Sequence, residues 1–348
     1  MLLVIVAGHI DLSVGSVCGF IGAVAAVLMV NYNWHYVPAA IVCLVLGGVI
    51  GAAQGYWVAF YKIPSFIVTL AGMLVFKGLA LAVLEGSSVG PFPEDFQLLS
   101  TGFIPDPFAG ETLRITSLIA GILMALVLLV SKVRGRAERV KHGMESEPAL
   151  LFMVKNLVFA GMIAAFSYML ASYKGLPNVL IVMLLLMLVY DFVTSRTTVG
   201  RRIYALGGNP HAAAYVGISA RKRLMMVYTL SGMLAGLAGL LWVGRYSIAY
   251  TELAAGYELT VVAACVIGGV SIGGGVGSVL GAALGVLFIG VVNGALPVIQ
   301  VSPFWQQAIA GAVILISVTV NARAERRAGR QILEHKVMTS TTAQGAAA

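Results

Sequence analysis

The sequence predicts an all-α polytopic membrane protein, on three observations. Hydrophobic residues make up 59% of the chain and charged residues only 10%, whereas a soluble domain carries about a quarter charged residues. Apolar runs of membrane-spanning length recur between short polar stretches. Glycine is abundant, at 41 residues, as expected where transmembrane helices pack closely. A hydrocarbon core of about 30 Å takes about 20 helical residues, so 348 residues allow about ten spans.

Taken in order, the chain opens with MLLVIVAGH, which is too short to cross a bilayer and has no basic start region of a signal peptide. It reads as the end of a helix, so the N-terminus is expected to be truncated, with a further apolar segment upstream. GHIDLSVGS (8–16) follows, then an apolar run to about Val30. Further spans are expected at Val37–Phe60, Phe66–Leu84, Thr116–Val130, Leu151–Ser172, Leu176–Thr194 and Leu224–Val243. A short one is expected at Tyr257–Val270, then Ser278–Val298 and Phe304–Val320. Residues 1–320 form one expected transmembrane domain. The tail, 321–348, ends in Thr, Ala and Gly and is expected to be disordered.

Charge orients the spans. The net charge is +8, and the basic residues cluster at span ends, as topology requires. Lys132, Arg134, Arg136, Arg139 and Lys141 place the 131–150 loop in the cytoplasm. Counting spans onward places Arg196–Arg223, the Ser271–Gly277 turn and the basic tail on the same side. Glu85–Thr112, carrying five acids, falls outside. The C-terminus is expected to be cytoplasmic.

Two segments read as broken or re-entrant elements. In the first, Asp11 follows an apolar run and is costly in hydrocarbon unless paired, capping or wet. Asp11 or Ser13 could cap the next helix; alternatively Asp11, Ser13, Gly15 and Ser16 belong to a broken helix lining a pathway. The second is GGVSIGGGVGSVLGAALG (268–285), which lacks the Gly-Lys-Ser/Thr ending of a phosphate-binding loop. Gly273, Gly277, Gly281 and Gly285 lie four apart and predict a smooth helix face for close packing, as do Gly47, Gly51 and Gly55. A weak internal repeat links the two regions: residues 14–31 align without gaps to 276–293, matching at eight of eighteen positions. On the loop count both copies run in the same direction, as parallel repeats do.

The longest polar interruption is TVGRRIYALGGNPHAAAYVGISARKR (198–223). Asn209 is suited to cap a helix and Pro210 to open it. Gly217 sits where a left-handed cap would close it. A short helix over Pro210–Val216 is therefore expected at a membrane face.

The remaining polar residues carry no chemistry of their own. Cys18, Cys43 and Cys265 lie in apolar runs without disulfide or metal spacing. Lys77 and Asp191 are expected to snorkel or cap, and Gln54 and Asn293 to hydrogen-bond between helices or to a polar solute. No nucleophile–base pair, paired carboxylates or metal-ligand cluster can be read, so the chain is not expected to be an enzyme or to hold a metal or cofactor.

ALGGNPHAAAYVGIS resembles the cytoplasmic loop of inner-membrane permease subunits of bacterial ATP-driven sugar importers, the xylose, ribose and multiple-sugar type. GHIDLSVGS resembles that family's G-G-[IV]-D-L-S-V-G-S, with His9 at the second glycine. YKIPSFIVTLAGMLVFKGLAL and the Gly-rich C-terminal stretch extend the likeness over nearly the whole chain. The resemblance implies a multi-pass bacterial inner-membrane permease, dimeric, coupled to a cytoplasmic ATPase that binds ATP and Mg, and served by a periplasmic sugar-binding protein. It implies that the short helix docks on the ATPase, through Gly208, Asn209, Pro210, Ala212, Ala213, Ala214, Tyr215 and Gly217. Alternatives are a permease of the same superfamily for branched-chain amino acids or nucleosides, and an ion-coupled secondary transporter. The scarcity of acids inside the spans argues against the last. The identity of the sugar and the residues that contact it are not legible.

Overall fold

The structure is a computed structural model that describes residues 1–106, 113–141 and 148–302, and scattered positions between 305 and 323. Thirteen helices are named among the described residues: α1 (Leu2–Val6), α2 (Val14–Ala26), α3 (Tyr36–Phe60), α4 (Ser65–Val83), α5 (Glu94–Thr101), α6 (Ile115–Lys141), α7 (Ala149–Ala171), α8 (Asn178–Arg196), α9 (Thr198–Gly208), α10 (Pro210–Tyr215), α11 (Ala220–Tyr246), α12 (Tyr257–Ile267) and α13 (Val279–Val298). Val27–Asn31 continue α2 as a π-helical turn. Eight of these helices are long and apolar enough to cross a membrane. The span expected at Tyr257–Val270 is only the 11-residue α12, about 16 Å at 1.5 Å per residue, so it cannot cross alone. Most of the span expected at Phe304–Val320, and the tail beyond it, lie outside the described residues.

The chain divides into two compact units, Met1–Pro93 with Leu186–Ala348, and Glu94–Leu185. In the second unit α6 packs on α7. Apart from Asn156, Ser167 and Ala171, the described side chains of α7 are half-buried or exposed and mostly apolar, the surface expected of a helix facing lipid. The sequence places a basic loop from 131, yet α6 runs on to Lys141. Lys, Arg, Ala and Glu are good helix formers and nothing breaks the helix there. Lys132 lies 4.6 Å over the Phe159 ring and Arg136 4.6 Å over that of Phe152, so long cationic side chains cover the end of the apolar zone.

In the first unit α3 and α11 make the most extensive contact, and α2 packs against both and against α4. Small residues allow it. A Cβ on Gly51 would collide with the Tyr228 backbone, and one on Gly232 with Gly47. Glycines on both helices thus bring two backbones into contact, with dispersion replacing the absent hydrophobic drive between helices in lipid. Aromatic clusters close both ends of the pair. Trp57 stacks on Tyr61 at 4.9 Å and Tyr56 on Phe60 at 4.9 Å, with Arg221 over Phe60. At the other end Trp242 meets Tyr257 edge-on at 4.5 Å. Two such belts mark the limits of an apolar zone.

Gly51→Ala should lower stability by about 1–3 kcal/mol, the usual cost of overpacking. Gly78→Ala, whose added methyl meets nothing within 4 Å, should not. Thermal unfolding in detergent checks this, and equal midpoints for the two variants would refute it.

Candidate functional site

The candidate site lies where three backbone segments converge, and the short helix α10 leaves from that point. Thr197 caps α9, its Oγ1 accepting from the Gly200 N–H at 3.3 Å. Apolar Ile203 and Leu206 turn inward while Arg201 and Arg202 remain exposed. The sequence predicts only the short helix in this stretch; the amphipathic helix α9 is additional. Tyr204 anchors it by donating to the Gly277 carbonyl at 2.7 Å, and burial pushes its hydroxyl pKa up from the usual tyrosine range.

The chain then reverses at Asn209 into α10. Asn209 Oδ1 accepts from the Ala212 N–H at 3.0 Å, and Pro210 occupies the first turn. Gly217 has φ +77°, and the N–H groups of Gly217 and Ile218 donate back to Ala214 and Ala213, both at 3.0 Å, a left-handed helix stop. The helix ends at Tyr215, one residue short of the expected Val216. Its residues differ in exposure. Ala213 is buried, whereas Ala212 and Ala214 are exposed and Tyr215 is 92% exposed. Gly208, Asn209, Pro210 and Gly217 are exposed as well.

Immediately before α10, Gly207 meets the end of α1 and the Gly-rich turn before α13. A Cβ on Gly207 would collide with the Val6 carbonyl and lie 2.8 Å from Gly275 N. Gly275 N–H donates to that same Val6 carbonyl at 2.8 Å. Gly8, Gly274 and Gly275 all have positive φ, which a residue with a Cβ rarely adopts. Both broken elements of the sequence therefore touch at one place, and α10 starts three positions after Gly207.

The first break is held from within. Asp11 Oδ1 accepts from Ser13 N–H at 2.9 Å and from Ser13 Oγ at 2.7 Å, while Oδ2 accepts from Ser231 Oγ at 3.2 Å. Gln54 Nε2 donates to Ser13 Oγ at 2.9 Å. All four residues are buried. The unwound backbone is satisfied from α4: Ile10 N–H donates to Ser65 Oγ at 3.2 Å and Leu12 N–H to Thr69 Oγ1 at 3.0 Å. Ser13 is the N-cap residue of α2, but no side chain accepts from that helix's first turn. The Asp11 carboxylate thus forms a turn with Ser13 and ties the break to α3 and α11. Ser16 faces a cleft, and Gly15 lies against the turn before α12.

In the second break Gly273 and Gly277 precede α13 rather than lying on it, so the four glycines do not share a helix face. The turn is fixed by positive-φ glycines that cannot continue a helix. Gly281 and Gly285 do lie on α13, where each added Cβ would collide with the α12 carbonyl of Gly268 or Ala264. Sequence reasoning missed Gly207, Ser231, Ser65 and Thr69. The spacing of Ser65 and Thr69, four apart on one helix face, was the available signal. Lys77, expected to snorkel or cap, instead pairs with Glu252 at 3.2 Å. Among the described residues no cluster of His, Cys, Asp and Glu has the makings of a metal site.

Removing the Asp11 carboxylate would orphan the Ser13 N–H and the Ser231 hydroxyl, while Ser13 Oγ keeps Gln54, at about 1–3 kcal/mol for each buried group left unsatisfied. Asp11→Ala should therefore lower the unfolding temperature in detergent clearly, with Asp11→Asn in between. An Asp11→Ala protein as stable as wild type would show that the network does not hold the break.

The profile of the family described as "Branched-chain amino acid transport system / permease component" matches residues 1–318. The xylose transport system permease protein of Escherichia coli (strain K12) is 36% identical over 327 residues, 94% of this chain and 81% of that protein. The ribose import permease protein of the same organism is 32% identical, covering 93% of this chain and 81% of its own length. The D-allose transport system permease protein is 28% identical, covering 91% and 76%. No solved structure matches the chain.

Proposed function

The chain belongs to the branched-chain amino acid transport system permease component family, and from that premise we propose how it couples to its partners. It is a multi-pass inner-membrane permease subunit of an ATP-binding-cassette sugar importer, a reading that the xylose, ribose and allose permeases among its relatives favour over amino-acid or nucleoside cargo. The residues name no sugar, and an aldose is the class the relatives support. ATP hydrolysis belongs to a partner ATPase, and a sugar-binding protein delivers cargo from the other side. The permease works as a homodimer. Residues 1–320 make up its membrane domain, and the positive-inside count puts α9, α10 and the C-terminus in the cytoplasm.

The observation that carries the coupling proposal is the geometry of α10. It is a short, capped helix with an exposed aromatic at its tip, and at its root Gly207 packs against both broken elements, which are themselves bonded through Gly275 N–H and the Val6 carbonyl. Coupling requires a physically linked element that both sites bias, and a rigid projection docked in an ATPase groove meets that requirement. Tyr215, with exposed Ala212, Ala214 and Val216 beside it, offers the aromatic anchor typical of interface hot spots. Asn209, Pro210 and Gly217 fix its ends, and Gly208, the last residue of α9, leads into the reversal at Asn209. Ala213 packs inward, so a bulky residue there would test folding rather than docking. Asp11, Ser13, Gly15 and Ser16 hold the inner end of the pathway; Gly281 and Gly285 let α13 close on α12, and Gly273 and Gly277 shape the turn that feeds it.

A secondary transporter would need midplane carboxylates or sodium sites and no docking helix; α10 favours the ATP-driven reading. Tyr215→Ala should weaken ATPase association roughly thirtyfold if it removes about 2 kcal/mol of anchoring, and sugar uptake and sugar-stimulated ATP hydrolysis should fall together. Co-purification and uptake at wild-type levels would make the docking assignment wrong.

A further inference from the structure

A polar cleft opens on the far side of the Asp11 cluster from α10, with Ser16 in its lining. Its floor is α2. A Cβ on Gly19 would lie 2.7 Å from the Leu253 carbonyl, and one on Gly15 2.6 Å from that of Ala254. The turn between α11 and α12 therefore rests directly on α2, and α12 begins at once with Glu258 in its first turn. Glu258 is only 9% exposed, and its Oε2 fills the space where a Gly15 side chain would be. No residue among those described gives its carboxylate a hydrogen bond or an ion pair. On the opposite wall α4 contributes Lys77, which pairs with Glu252 at 3.2 Å. Between them is a cavity of about 140 Å³, lined among others by Ser16, Met73, Lys77, Thr251 and Glu258.

A buried carboxylate without a partner is costly, and at the edge of the apolar zone, beside Tyr257 of the aromatic belt, such a residue marks a pathway rather than packing. The neighbours here are two hydroxyls, an ammonium and a carboxylate. Together they can donate to and accept from several sugar hydroxyls at once, the carboxylate as acceptor only, the ammonium as donor only, and Ser16 and Thr251 as either. Met73 supplies an adaptable apolar surface for the C–H face of a ring. The cavity is smaller than a typical ligand pocket and suited to one monosaccharide ring. Holding the ring by a few exchangeable hydrogen bonds lets it leave again.

We propose that the cleft between α2, α4 and the start of α12 is a transient monosaccharide site on the translocation path, with Glu258, Lys77, Thr251 and Ser16 contacting the sugar hydroxyls. The proposal rests on the sugar-importer reading above. Its test is uptake of D-xylose, D-ribose and D-allose by the full importer, permease with ATPase and sugar-binding protein, reconstituted in vesicles. Glu258→Gln should lower uptake at subsaturating sugar at least tenfold, with unchanged incorporation into vesicles and unchanged sugar-independent ATP hydrolysis. Thr251→Cys should transport, and a small hydrophilic methanethiosulfonate should block it, with saturating sugar slowing the block at least threefold. The native thiols Cys18, Cys43 and Cys265 are buried, so wild type serves as the unreactive control. Wild-type uptake by Glu258→Gln, or modified Thr251→Cys that still transports, would overturn the cleft while leaving the importer reading intact. If Glu258→Gln fails to reach the vesicles, the thiol experiment decides alone. Should the wild-type importer move none of the three sugars, the sugar-importer reading falls, and the cleft with it.

Discussion

Backbone-to-backbone contact through glycine is the constraint on which this structure depends. Helices in lipid gain little from burying apolar surface against one another, so they must approach closely enough for dispersion and hydrogen bonding to hold them. Gly47, Gly51 and Gly232 do this for the long α3–α11 pair, and Gly281 and Gly285 for α12 and α13. The tightest instance is the junction of Gly207 with Val6 and Gly275, where a single added methyl has no room. The same device that packs the bundle therefore also joins the two broken elements to the root of α10.

Broken helices create a second demand. Unwound backbone inside an apolar zone leaves N–H and carbonyl groups that lipid cannot satisfy. Here α4 lends Ser65 and Thr69 to the N–H groups of Ile10 and Leu12, and the Asp11 carboxylate gathers the donors of Ser13 and Ser231. The second break is satisfied by its own turn and by the Val6 carbonyl, which accepts from Gly275. Each break is thus a fixed turn rather than a loose loop. A fixed turn can transmit displacement, and this property connects the packing to the coupling role assigned to α10.

Much of this was legible in the residues. Hydropathy located the long spans because lipid leaves no other choice. The cap logic of Asn209, Pro210 and Gly217 placed α10 to within one residue, since its stop signals are local. Long-range pairing was not legible. Nothing near Asp11 in the chain announces Ser231, 220 positions away, and nothing near Lys77 announces Glu252. Periodicity misled at Gly273 and Gly277: spacing of four fits a helix face, yet the positive φ of Gly274 and Gly275 makes a turn there. The basic end of α6 read as a loop because its charge marks the membrane boundary, although charge does not end a helix.

In the proposed coupling, motion passes between α10 and the two breaks through the Gly207 junction. This is tested by the number of sugar molecules moved per ATP hydrolysed in the reconstituted importer. Gly207→Ala places a methyl against Val6 and Gly275, whereas at neighbouring Gly208 the nearest atom to an added methyl is 3.9 Å away. The account predicts that Gly207→Ala still assembles with its ATPase but moves at least tenfold less sugar per ATP, while Gly208→Ala keeps the wild-type ratio. An assembled Gly207→Ala importer with the wild-type ratio would contradict it.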